Sequence, residues 1–140
     1  MLSDGTGHSH AEAAVSSPGE RQNHSGRLFA GGIVFAVAST QTDLFYGVAA
    51  ASPSVWFPGW MEFEQQHPMQ TQRVYLSLGN KEEHTKNTVM AAVGNNIRTL
   101  HSRLAERSTD CTLEWNSGGH FKDADLRTAK AFRWVMEESR

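Results

Sequence analysis

From Leu28 onward, short apolar runs alternate with longer stretches in which apolar residues recur every three or four positions. Three runs have the length and composition of buried strands: Tyr46–Ala51, Arg73–Leu78 (closed by Gly79) and Cys111–Trp115. Thr88–Glu106 carries Val89, Val93, Ile97, Leu100 and Leu104, a spacing that predicts one apolar helical face. Asp123–Glu138 carries Leu126, Ala129, Phe132, Val135 and Met136 in the same way, with Asp123 where an N-cap belongs. Gly31–Gln41 is apolar nearly all round and predicts a buried helix; Met61–His67 predicts one or two helical turns. Between them, Ser52-Pro-Ser-Val-Trp-Phe-Pro-Gly-Trp breaks regular structure with two prolines and a glycine. Alternating strands and helices predict an α/β fold with about three parallel strands joined by right-handed crossovers.

Residues 1–26 follow no such pattern. They are Ser, Gly, His, Glu and Ala with few large apolar side chains, a composition expected to stay disordered because it cannot offset the entropy of ordering. Residues 27–140 are left as one partial domain. The segment Gln22-Asn-His-Ser is too polar for a buried strand, so Val48–Ala51 is expected to lie on an open sheet edge through which copies of the chain could associate.

Composition narrows the function by exclusion. A net charge of −2 and a pI near 6.4 give no electrostatic case for nucleic acid or an anionic membrane surface. No apolar run reaches the roughly 18 residues of a membrane span, and no signal peptide is visible, so a cytoplasmic location is the expectation. Cys111 is the single cysteine, and a buried strand residue rather than a nucleophile is expected there. No His/Cys spacing supports a metal site; His8, His10 and His24 fall in the polar N-terminal stretch.

In a parallel sheet, ligands bind at the carboxyl ends of the strands. Two segments place chemistry there: Val74-Tyr-Leu-Ser-Leu-Gly-Asn-Lys-Glu-Glu and Glu114-Trp-Asn-Ser-Gly-Gly-His-Phe-Lys-Asp. His120 follows a glycine pair that lets its loop turn, as an acyl-transfer base requires; the alternative is a solvent-exposed loop histidine. Glu82 follows the middle strand on the same edge, where it would orient His120 within hydrogen-bond reach; Glu83 and Asn80 compete for that role, and a Lys-Glu-Glu run is also what a solvated loop looks like. Trp56, Phe57 and Trp60 cluster on the loop after the first strand, where they line an acyl or aryl-ester pocket or plug the loop onto the body.

Gln41-Thr-Asp-Leu-Phe, the Ser52–Trp60 segment, Leu76-Ser-Leu-Gly-Asn-Lys-Glu-Glu-His-Thr-Lys-Asn and Asn116-Ser-Gly-Gly-His-Phe-Lys-Asp together resemble the esterase family of α/β-hydrolases that includes esterase D-like, feruloyl and enterochelin esterases. The resemblance runs from about Phe35 to the C-terminus. It implies the C-terminal part of an α/β-hydrolase fold and hydrolysis of small-molecule esters without metal or organic cofactor. It implies His120 as the triad histidine and Glu82 as its acid, although many members carry Asp where this chain has Asn80. Triad order in such folds is nucleophile, acid, histidine.

The nucleophile elbow is missing. The family reads like Ala-Gly-Tyr-Ser-Leu-Ala-Gly-Leu-Phe-Ala where this chain has Gly26-Arg-Leu-Phe-Ala-Gly-Gly-Ile-Val-Phe-Ala, and Phe29 stands in the serine's place. A phenyl ring cannot attack a carbonyl. Codons exist for Arg27–Val34, continuing into Phe35, that spell Gly-Tyr-Ser-Leu-Ala-Gly-Leu-Phe when read one base later, and one extra T in the run at Val34–Phe35 would bring that frame into register with the rest of the chain. The leading expectation is therefore an esterase fragment, frameshifted before Phe35 and inactive as it stands. The alternatives are a non-catalytic binding module on a hydrolase-derived fold, and a hydrolase using Ser52 or Ser25.

Overall fold

The computed structural model describes residues 14–16, 28–31, 36–37 and 39–137. Five strands form one sheet: β1 (Ala14–Ser16), β2 (Leu28–Gly31), β3 (Phe45–Ala51), β4 (Arg73–Gly79) and β5 (Asp110–Asn116). Their spatial order is their chain order. β1 is antiparallel to β2; β2, β3, β4 and β5 run parallel, with Val48 opposite Val74 and Leu76 opposite Leu113. The three expected strands are thus β3, β4 and β5.

Two features depart from expectation. Ala14–Ser16, inside the N-terminal polar stretch, forms a strand; the rest of 1–26 lies outside the described residues. The edge expected over Val48–Ala51 is covered in its first half, because Leu28–Gly31 pairs along β3 from Phe45 to Ala49. That four-residue strand was hidden by its shortness and its closing glycine. The helix expected over Gly31–Gln41 is only partly in view: Ala36 and Val37 are helical, 32–35 and 38 lie outside the described residues, and Ser39–Gln41 is a turn. There the Ser39 and Thr40 hydroxyls donate to the carbonyls of Ala36 and Val37, competing with helix continuation.

Helices cover both faces of the sheet, which is why β4 is buried along its whole length. On one face Val48, Ala50, Val74, Leu76 and Leu78 meet Val93, Ile97, Leu100 and Leu104 of α3 (Val93–Glu106) and Trp60 of α1 (Trp60–Gln66). Between them, α2 (Thr88–Ala91) is capped by the Asn87 side chain, which accepts from the amides of Val89 and Met90. The single helix expected over Thr88–Glu106 is therefore two, and the break at Ala92 leaves Val89 half exposed rather than on the apolar face. On the other face Ala49, Ala51 and Tyr75 pack against Ala131 and Val135 of α4 (Ala124–Met136). The face expected on α4 holds in its second half, where Val135 is buried and Phe132 and Met136 pack against the core; in its first half Leu126 is 66% exposed, and Arg127 and Ala131 are buried instead. Asp123 adopts a left-handed conformation (φ 55°) and makes no side-chain cap.

Glu64 is fully buried on α1 and is matched by two cations. Arg107 grips both carboxylate oxygens at 2.5 and 3.0 Å, and Arg103 reaches one at 3.3 Å. A buried charge needs such partners to persist. No helix among the described residues is long and apolar enough to cross a membrane.

Candidate acid–histidine site

The carboxyl ends of β4 and β5 are laced together before either functional side chain is considered. The Asn80 amide donates to the Asn116 carbonyl at 2.7 Å, and the Lys81 amide to the Gly118 carbonyl at 3.0 Å. The Asn80 side-chain oxygen accepts from the Gly118 amide at 3.1 Å, so Asn80 serves as a loop tie and not as the acid. Gly118 sits at φ +104°, a conformation open to glycine. Gly79 is required for a different reason: a Cβ there would stand 2.3 Å from the Gly118 carbonyl oxygen and 2.9 Å from that of Gly119.

This lacing brings Glu82 and His120 together, 38 residues apart in sequence. His120 Nδ1 lies 3.1 Å from Glu82 Oε1. The other carboxylate oxygen, Oε2, accepts from the Ser52 hydroxyl at 2.6 Å and the Gly79 amide at 2.7 Å. The two oxygens are thus divided: one is anchored to the scaffold, the other presented to the imidazole. Burial by itself would raise the Glu82 carboxyl. The hydrogen bonds from His120, Ser52 and the Gly79 amide, with the imidazolium charge, outweigh it and hold the group below its usual range. An ionised carboxylate only accepts, so in the neutral ring Nδ1 carries the proton.

Glu83 is directed elsewhere. Arg98 holds both its oxygens, at 2.9 and 3.1 Å, and its side chain lies against Gly94, where a Cβ would collide with it at 1.8 Å. The choice between two adjacent glutamates is made by that glycine and that arginine, on a helix remote in sequence.

His120 and Glu82 border a cavity of about 290 Å³, with Ser52, Trp56, Met90 and Phe121 among its walls. Phe121 meets the His120 ring edge-on, centroids 4.8 Å apart. Of the three aromatic candidates, only Trp56 lines this cavity. Phe57 and Trp60 line a separate one of about 520 Å³ with Val37 and Phe63. The chain turns between them: Phe57 is 61% exposed, whereas Trp60 is buried at the start of α1. The three rings therefore do not form one pocket.

Ser52, the alternative nucleophile, follows the end of β3 with φ +52° and spends its proton on the carboxylate rather than the imidazole. Its strained backbone is the kind that persists only where surrounding contacts fix it. Cys111 is half-buried; burial, then the Asp110 charge, pushes its thiol up, away from reactivity. Phe29 lies in β2 opposite Gly47, and Ser25 falls outside the described residues. Among the described residues no group of three His, Cys, Asp or Glu side chains is arranged to hold a metal ion.

One member of the site has no counterpart in the sequence reading. Arg127, 3% exposed on the first turn of α4, donates to the carbonyls of Gly119 (3.0 Å) and Ser117 (2.9 Å) and lies 3.6 Å from Glu82 Oε2. Its place on the otherwise apolar stripe with Ala131 and Val135 was the available signal, since an arginine there must be paired. Comparison with family profiles, with characterised proteins and with solved structures finds no match to this chain.

Proposed function

We propose that this chain is the C-terminal part of a serine carboxylic-ester hydrolase of the α/β-hydrolase type, carrying the triad acid and histidine without the nucleophile. The observation that supports it is the Glu82–His120 pair, with Nδ1 turned to an ionised, anchored carboxylate beside a cavity. In acyl transfer the acid holds the histidine in that tautomer and stabilises the imidazolium formed when the ring takes the nucleophile's proton. Here no serine is framed to give up that proton, and the chain is inactive as it stands. Its parent substrate is a small-molecule ester whose apolar part meets Trp56, Met90 and Phe121.

The test has two arms. The nucleotide sequence across Arg27–Phe35 should spell Gly-Tyr-Ser-Leu-Ala-Gly in the next frame, and adding one T to the run at Val34–Phe35, with the upstream sequence in place, should yield an esterase that loses activity on His120→Ala. The chain as given should hydrolyse p-nitrophenyl acetate no faster than its own His120→Ala variant. A different codon series, or His120-dependent hydrolysis by the chain as given, sinks the fragment reading. The pairing of β2 along β3 favours a second reading, a binding module that closes its own sheet. A sharp cooperative melt together with saturable shifts of the Trp56 and His120 signals on adding phenyl acetate would select it.

A further inference from the structure

We propose that Arg127 is a positioning residue of the acid–histidine pair, a single buried guanidinium that ties the His120 loop to the Glu82 carboxylate. The inference rests on the reading of Glu82 and His120 as a functional pair and adds the element that holds them in register.

Three observations carry it. Nη1 donates to the Gly119 carbonyl, immediately before His120, and stands 3.6 Å from Glu82 Oε2. Nη2 donates to the Ser117 carbonyl, on the other side of Gly118. The two carbonyls flank the residue whose φ of +104° gives the loop its turn, so the planar fork of one side chain fixes both sides of that turn. Both side chains are almost sealed from water, Arg127 at 4% and Glu82 at 8% exposure, where a carboxylate left without a cation carries a heavy desolvation penalty. Lysine could supply the charge but not the two parallel donors. Without Arg127 the backbone ties through Asn80 remain, but Ser117 and Gly119 lose their buried donor and Glu82 loses, among the described residues, its close cation other than the His120 ring.

Nitrogen-15 NMR of the His120 ring in the intact chain reads the consequence directly. In the native chain at alkaline pH the neutral ring should be in the Nδ1–H form, and Glu82→Ala should remove that preference. Arg127→Gln should raise the Nε2–H fraction and speed exchange of the Gly118 and Lys122 amides about tenfold, the size expected when a charge-assisted bond is lost. Arg127→Lys should recover the tautomer and not the amide protection. If Glu82→Ala leaves the tautomer unchanged, the pair reading itself falls. If Glu82→Ala shifts the tautomer while folded Arg127→Gln changes neither tautomer nor exchange, only the role of Arg127 falls. Should the Arg127 variants not fold, the native guanidinium decides: separate, slowly exchanging Nη signals that move in Glu82→Ala support the role, and averaged signals indifferent to Glu82→Ala overturn it.

Discussion

Gly79 and Gly119 belong to the same site, yet they should respond oppositely to alanine. A methyl at 79 meets two backbone carbonyl oxygens that cannot swing away, whereas a Cβ at 119 meets nothing within 4 Å. Gly79→Ala should cost about 1–3 kcal/mol and Gly119→Ala less than about 0.5 kcal/mol in urea titrations followed by circular dichroism. Glu82 gives a second prediction at this scale. Its carboxyl titrates below the usual value of 4.5, so it contributes stability that is fully present above that value and is lost as pH falls through the lower, folded one. Glutamine resembles the protonated form. The difference in melting midpoint between native protein and Glu82→Gln should therefore be largest near neutrality and shrink below about pH 4. The other depressed carboxyls, Glu83 and Glu114, are present in both proteins and cancel. Sequence spacing brought the neighbourhood of this site into view, because a strand end followed by a polar loop is visible in one dimension. It could not separate Glu82 from Glu83, since the distinction is made by Gly94 and Arg98, whose proximity exists only after α3 has packed.

Helix faces were legible where the stripe is purely apolar and failed where it is not. Val93, Ile97, Leu100 and Leu104 follow the expected spacing and are all buried. Val89 fits the same spacing but belongs to α2, and the offset at Ala92 takes it out of register. Leu100→Ala should cost about 2–5 kcal/mol through the cavity it opens, and Val89→Ala less than about 0.5 kcal/mol, a contrast that a continuous helix would not produce. On α4 the apolar count held for Phe132, Val135 and Met136 but failed in the first turn, where Leu126 is exposed and Arg127 is buried, its donors answering loop carbonyls that a periodicity count cannot see. α1 hides a charge in the same manner. Glu64→Ala leaves Arg103 and Arg107 without their shared partner, and a loss of about 3–5 kcal/mol is expected on thermal or chemical denaturation.

For the whole molecule, the α/β class and strands β3, β4 and β5 followed from alternation. β3 and β4, largely buried on both faces, are written as near-continuous apolar runs, while β5, at the margin of the described sheet, is only half-buried. β1 and β2 did not follow: at three and four residues they are too short to carry a period. Their position has a consequence of another kind. A sheet whose spatial order repeats its chain order converts position along the gene into position across the sheet. Both described strands encoded before Phe35 lie on one flank of β3, while the Glu82 and His120 loops rise from β4 and β5 on the other. The proposed shift of reading frame, ending at Phe35, would then not be scattered through the structure. It would rewrite one margin of the sheet and stop at a seam, the β2–β3 boundary, beyond which β3, β4 and β5 keep one another as neighbours. The seam makes truncation informative: removing the first 34 residues exposes the β3 edge but deletes no group of the acid–histidine site. The tautomer of His120 should survive that truncation wherever the remaining chain folds, and self-association through β3, measured by sedimentation, should rise.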